Sequence, residues 1–226
     1  MSERAPRPAR IAPAMSEAVR EPFADPAHQR DAVALGMWAF LGQEVLFFGV
    51  LFVFYTHLRV RHPELFAAFA PRLDWRLATA MTVALLLSSF TMALAVRFAF
   101  VRMRGKLLSS LLATTALGAA FLAMKGWEYA HHVARGESPI VDLADELGPG
   151  PGLSTFFGLY FVLTGFHALH VLGGLVALGW LVIVAWRTTA EDLRGSPVMA
   201  VGLYWHFVDI VWLFLFPALY LAGRPA

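Results

Sequence analysis

The chain has 226 residues, a formal net charge of +2 and a mean hydropathy of +0.62, and 58% of its residues are hydrophobic. Soluble domains contain about 45–50% apolar residues, so this composition indicates a membrane protein. The small net charge does not favour nucleic-acid binding. Because the sequence has no cysteine, disulfides, thiolate metal sites and cysteine nucleophiles are excluded.

The first part of the chain, residues 1–32, is rich in Pro, Ala, Arg and Glu and shows no apolar periodicity. A secretory signal would need a continuous apolar core of roughly 7–15 residues, which this segment lacks. Its five acidic residues are unlike the acid-poor composition of a mitochondrial presequence. We therefore expect residues 1–32 to be a disordered cytoplasmic tail and residues 33–226 to form a membrane domain.

Five apolar stretches follow, and each has the about 20 residues that a membrane span needs. Their expected bounds are roughly 33–57, 78–101, 107–130, 154–186 and 198–222. The acidic, turn-rich segment 136–153 is expected to lie outside the membrane. The sequence thus predicts an all-α, polytopic membrane protein with a bundle of five transmembrane helices.

The distribution of basic residues predicts the orientation of these spans. If the N-terminus is inside, 11 Lys and Arg residues fall in inner segments and 6 in outer segments. The positive-inside rule then places the N-terminus inside and the C-terminus outside.

Glu44 lies within the first span, where an ionisable side chain is costly unless it faces protein or a polar cavity. It is either a carboxylate that exchanges protons or contacts lipid, or a neutral acid that is hydrogen-bonded to a neighbouring helix. Gly42 and Gly49 share one helix face, on which we expect another helix to approach closely.

The fourth span carries His167 and His170, which share a helix face with Thr164 and Gly174. Two such histidines could bind a metal or haem, but a metal site usually needs three or four ligands. The alternative is that they hydrogen-bond across helices or to lipid headgroups. The pair Gly173-Gly174 is typical of close helix packing.

The last span carries His206 and Asp209 on one face, with Trp205 and Trp212 on a neighbouring face. A His–Asp pair within a membrane can act as a proton relay, but no nucleophile or third partner accompanies it. We predict instead that the two side chains hydrogen-bond to each other, so that both can be buried.

The outer end of the third span contains Lys125, Trp127 and Glu128. Trp residues are frequent at membrane–water interfaces, so we expect an interfacial end that is anchored by polar residues. Glu128 is expected to pair with Lys125, three residues away, or with a following histidine. Beside Arg59 and Arg61, after the first span, His57 and His62 are interpreted as loop residues.

Six blocks of the sequence resemble subunit III of the haem-copper cytochrome c oxidases. They are Gly36–Phe48, Leu87–Thr91, Trp127–Tyr129, Ser154–Phe157, Gly165–Val171 and Tyr204–Phe216. They occur in the family's order, and the last two are the most specific. The chain resembles the five-span bacterial form, which lacks the first two of the seven spans found in larger members.

The resemblance implies a non-redox accessory subunit of a proton-pumping cytochrome c oxidase in the bacterial inner membrane. In this family haem and copper belong to partner subunits, and subunit III packs against subunit I and binds phospholipid. Subunit II, a small subunit IV and a larger respiratory supercomplex are further expected partners. The implied role is to support proton uptake and to protect the active site during turnover.

The resemblance also assigns individual positions. Glu44 corresponds to the family's intramembrane carboxylate, and Glu128 to the acidic residue of its Glu-Tyr pair. His167, His170, His206 and Asp209 correspond to its buried polar positions.

Several alternative functions stay open. Within the same fold, these are subunit III of a quinol oxidase and an accessory subunit of a nitric oxide reductase. A free-standing proton-coupled transporter would use Glu44, His206 and Asp209, but the sequence lacks the paired repeats of such proteins. A membrane cytochrome would use His167 and His170, which cannot sandwich one haem from a single helix face.

Overall fold

A computed structural model of the protein describes residues 26–137, 151–187 and 196–221. Within these ranges the regular structure is helical, without a strand. In chain order the elements are α1 (Pro26–Arg61), α2 (Pro63–Phe69), a 3₁₀ turn (Ala70–Arg72), α3 (Trp75–Phe100), α4 (Arg104–Ala134), α5 (Pro151–Arg187), α6 (Ser196–Phe216) and a π turn (Pro217–Leu221). Most of the predicted tail and of the predicted loop 136–153 lies outside the described residues.

Five helical segments are long and apolar enough to cross a membrane. They are Asp31–Arg61, Trp75–Phe100, Arg104–Ala134, Gly152–Arg187 and Pro197–Leu221, and they confirm the predicted number of spans. The assignment of His57 to a loop is wrong, because α1 continues to Arg61. The short helix α2, which follows α1, was not predicted from the sequence.

Helices α3, α4, α5 and α6 form the body of the bundle, and each packs against two of the others. Asp74 fixes the start of α3, because its side chain accepts hydrogen bonds from the backbone N–H groups of Arg76 (2.9 Å) and Leu77 (3.2 Å). At the opposite end of the bundle, Arg104 donates to the carbonyls of Ala185 (3.0 Å) and Trp186 (2.5 Å). These bonds satisfy carbonyl groups at the end of α5.

Helix α1 lies at the edge of the bundle, against α6 and α2. The hydroxyl of Tyr55 donates to the Ala218 carbonyl in the π turn, and Arg59 Nη1 donates to the same hydroxyl at 2.6 Å. A Cβ atom at Gly42 or Gly49 would meet nothing within 4 Å. The predicted close approach of a helix at these two glycines is therefore wrong for the described part of the chain.

Candidate functional site

Lys125 and Glu128 are buried at the C-terminal end of α4, where the sequence predicted an interfacial end that is anchored by polar residues. Lys125 is 1% exposed and Glu128 is 2% exposed, and Lys125 Nζ lies 2.9 Å from Glu128 Oε2. The predicted pairing of these two residues is thereby confirmed. Trp127, which is 60% exposed, has the position expected of an interfacial aromatic residue. Lys125 and Glu128 point inward because they lie one helical turn apart on the face that meets α5 and the π turn.

Two tyrosines complete this ion pair, and we call Lys125, Glu128, Tyr160 and Tyr220 the Lys125 cluster. Lys125 Nζ donates to the hydroxyls of Tyr160 (3.0 Å) and Tyr220 (2.8 Å), and Tyr220 donates to both Glu128 oxygens at 3.0 Å. The three ammonium protons thus have three oxygen acceptors. The cluster is charge-balanced and hydrogen-bonded, as buried charges need to be.

Aromatic rings surround the ammonium group of the cluster. Lys125 Nζ lies 4.6 Å from the ring centroid of Tyr160 and 5.1–5.5 Å from those of Tyr129, Trp212 and Tyr220. Such faces stabilise a cation, more strongly when it is desolvated. The rings come from α4, α5, α6 and the π turn, so the cation is held by every element that meets at this point.

A polar region continues from the cluster towards the end of the bundle. Glu137 accepts hydrogen bonds from Arg72 (3.2 Å) and His132 (2.8 Å). A cavity of about 110 Å³ lies beside it, lined by Glu128, Arg72, His132 and Arg135 among others. This volume has room for water molecules, which could approach the buried Glu128 carboxylate from this end.

Thr164, predicted on the face of His167 and His170, is fully buried between α4 and α5. Its hydroxyl lies 2.6 Å from the Tyr129 hydroxyl and donates to the Tyr160 carbonyl at 2.7 Å. Thr164 therefore joins the two helices immediately beside the Lys125 cluster.

Glu44 and His170 form a polar pair that joins α1 to α5. His170 Nε2 lies 2.9 Å from Glu44 Oε2, and His170 Nδ1 donates to the Phe166 carbonyl at 2.7 Å. Because Nδ1 carries a proton, one further proton lies between Nε2 and the carboxyl group. The pair is either imidazolium with carboxylate or neutral imidazole with carboxylic acid. Of the two predicted interpretations of Glu44, the one with a hydrogen bond to a neighbouring helix has that bond in the structure.

His167 is separate from this pair, although it lies one turn away on α5. It is fully buried, stacks on Trp212 at 5.2 Å and meets the edge of Phe121 at 5.5 Å. Neither ring nitrogen has a hydrogen-bond partner among the described residues. In those same residues, no group of three or more His, Cys, Asp or Glu side chains is placed to hold a metal ion.

The predicted hydrogen bond between His206 and Asp209 is wrong. His206 Nδ1 lies 2.6 Å from the Ser89 hydroxyl on α3, because α3 brings a polar partner closer than the next turn of α6. Asp209 is 4% exposed, and neither of its oxygens has a hydrogen-bond partner in the described chain. Ser89, the partner of His206, also lies next to Asp209, but the two side chains do not form a hydrogen bond.

Both tryptophans of the last span are fully buried and connect α6 to α3. Trp205 Nε1 donates to the Ser88 hydroxyl and Trp212 Nε1 donates to the Thr82 hydroxyl, each at 3.0 Å. Buried indole N–H groups need such partners. The two residues therefore lie in helix contacts and not in an interfacial aromatic belt.

Together, the five spans and these inward-facing polar contacts define an integral membrane helical bundle. Residues 24–224 match the family described as cytochrome c oxidase subunit III, and this chain belongs to that family. The chain is 29% identical, over 198 residues, to proteins named probable quinol oxidase subunit 3 from Staphylococcus epidermidis and from Staphylococcus aureus. In each case the match covers 87% of this chain and 92% of the relative.

Proposed function

We propose that this chain is the non-redox accessory subunit III of a haem-copper terminal oxidase, in which other subunits reduce oxygen to water. The observation that carries the proposal is the match to the subunit III family over residues 24–224. The site geometry is consistent with it, because the side chains of the Lys125 cluster hydrogen-bond to one another and Glu44 hydrogen-bonds to His170, in both cases between helices.

In this proposal the chain lies in the bacterial inner membrane with its N-terminus inside, packs against subunit I and retains phospholipid. The basic residues of the sequence support this orientation. Because the chain lacks cysteine, a single Lys106→Cys variant can test it: an impermeant maleimide should label the thiol only after the cytoplasmic face is opened.

The electron donor divides the proposal into two candidates. The family description names cytochrome c oxidase, whereas the relatives are named quinol oxidase subunits. The donor is bound by partner subunits, so the residues of this chain do not select between them. We retain both candidates. The electron donor that the purified complex oxidises distinguishes between them.

The test is an affinity purification of the tagged chain from its native membrane in mild detergent. We expect a haem-containing subunit I and a subunit II to co-purify, and the complex to consume oxygen with either reduced cytochrome c or a quinol. Recovery of the chain without a haem-copper subunit would contradict the proposal. A colourless chain that moves protons in liposomes would indicate a transporter, and a Soret band from the chain alone would indicate a cytochrome.

Removal of the Glu44 side chain is expected to change the number of turnovers that the complex completes before it is inactivated. Glu44→Gln should assemble and turn over like the parent, because the side chain keeps its shape and one acceptor for His170. Glu44→Ala leaves the imidazole unpaired at a cost of about 1–3 kcal/mol, so the complex should lose lipid or activity in fewer turnovers. The measurement is the number of turnovers before inactivation, with Thr56→Ala, an exposed position on the same helix, as control. Parent-like behaviour of Glu44→Ala across pH would make the pair dispensable.

A further inference from the structure

The Asp209 carboxyl group is the starting point, because it is buried without a hydrogen bond. It is 4% exposed, and both oxygens are unpartnered among the described residues. A buried polar group without a partner is costly, and more so within a membrane. The Asp209 carboxyl group therefore needs a hydrogen bond that it does not have in the described chain.

The neighbouring donors of α3 are already engaged. The Ser88 hydroxyl accepts from Trp205 and the Thr82 hydroxyl accepts from Trp212, and each also donates to a backbone carbonyl within α3. Ser89 is the remaining hydroxyl beside Asp209. Its proton can reach the carboxyl group only if His206 Nδ1 donates to Ser89 and does not accept from it.

This requirement determines which kind of group must contact the second ring nitrogen of His206, Nε2. If Nδ1 is the donor of a neutral imidazole, Nε2 is an acceptor and needs a donor from outside the ring. His206 Nε2 makes no hydrogen bond in the described chain, and the side chain is only half-buried. The His206 ring is thus partly open to the surface of the bundle.

The His206 side chain lies far from the membrane–water interface. Ser89 is near the middle of α3, and the exposed residues that flank it and His206 are apolar: Leu86 is 47% exposed, Phe90 62% and Ile210 51%. We call the surface at Ser89, His206, Leu86 and Ile210 the α3–α6 seam. The hydrocarbon core is about 30 Å thick, so lipid headgroups lie too far away to supply a donor, and acyl chains have none.

We propose that the α3–α6 seam is the docking site for a transmembrane helix of the haem-binding oxidase subunit, which presents a hydrogen-bond donor side chain to His206 Nε2. With Nε2 occupied by this donor, His206 Nδ1 donates to the Ser89 hydroxyl, and the Ser89 proton can then turn towards the unpartnered Asp209 carboxyl group. The inference rests on the proposed function for the identity of the partner. Polar side chains commonly hydrogen-bond across helices in this way within membranes.

The first test places a photo-crosslinking amino acid at Leu86 or Ile210 of the seam in the intact complex. Val50 on α1 and Val176 on α5, which are 70% and 68% exposed, are the matched controls. We expect the seam positions to crosslink to a helix of the haem-binding subunit, located by mass spectrometry of the adduct, and the controls to remain without that adduct. Crosslinking from the controls only, to lipid only or to a second copy of this chain would overturn the inference.

The second test removes the acceptor but keeps an aromatic ring. His206→Phe should weaken retention of the chain by the complex about threefold to tenfold, as expected for one interhelical hydrogen bond. His131→Phe, the same substitution at an exposed position on α4, should not. Retention is measured as the fraction of chain that stays with the haem signal after increasing detergent. Equal retention of both variants would overturn the role of His206.

The two proposals fail in different ways. If no haem-copper subunit co-purifies with the unmodified chain, the proposed function fails. If such a subunit co-purifies but is contacted through another face, the proposed function stands and the docking site is wrong.

Discussion

Lys125→Met should be the most destabilising single substitution in the membrane core of this protein. It removes the cation from Glu128, which is 2% exposed and would then be left as a buried charge with only Tyr220 as partner. Breaking a buried ion pair on one side costs about 3–5 kcal/mol. We expect the free energy of unfolding, measured in mixed detergent micelles, to fall by this amount, and less protein to be recovered from membranes.

The matched control is Lys106→Met, the same substitution at an exposed position of the same helix. It should change the free energy of unfolding by no more than about 0.5 kcal/mol. The double variant Lys125→Met/Glu128→Leu should recover most of the lost stability, because replacing a buried pair by apolar residues is often neutral. Tyr160 and Tyr220 can then keep the hydrogen bond that already joins their hydroxyls at 3.4 Å. A double variant as unstable as Lys125→Met would show that the ion pair is not the cause.

Only part of the Lys125 cluster could be predicted from the sequence. Lys125 and Glu128 are three residues apart, so helical spacing named Lys125 as one possible partner of Glu128, beside the following histidines. Tyr160 and Tyr220 lie 35 and 95 residues from Lys125, and no local pattern marks them. The aromatic neighbours of the pair suggested an interface, whereas burial depends on how α5 and the π turn cover this end of α4.

The error at His206 has a similar cause. The spacing of His206 and Asp209 on one helix face was interpreted correctly, but a shared face does not choose between a partner on the same helix and one on a neighbouring helix. Ser89, which lies 117 residues away along the chain, is the hydrogen-bond partner of His206 Nδ1. Glu44 shows the favourable case, because a partner on a neighbouring helix was one of its two interpretations, although His170 could not be named from the sequence.

Trp205 lies in a slot that three helices form, and this slot determines which glycines can be replaced. The indole is fully buried and donates to Ser88 on α3. A Cβ atom at Gly118 of α4 would lie 2.6 Å from Trp205 Cη2, and one at Gly174 of α5 would lie 2.7 Å from Cε3. The sequence predicted close packing at Gly174, but the ring that fills the space comes from a distant part of the chain.

Gly174→Ala should therefore destabilise the protein even though alanine is the better helix former. The added methyl group overlaps the rigid indole ring, and overpacking of this kind costs about 1–3 kcal/mol. Gly179→Ala is the control on the same helix, because its Cβ would meet nothing within 4 Å, and it should stabilise by about 0.5–1 kcal/mol through helix propensity alone. Opposite signs are thus expected for one substitution at two positions of α5, measured as the free energy of unfolding in mixed micelles. If both glycines tolerate alanine equally, the indole is free to move and does not hold the three helices in register.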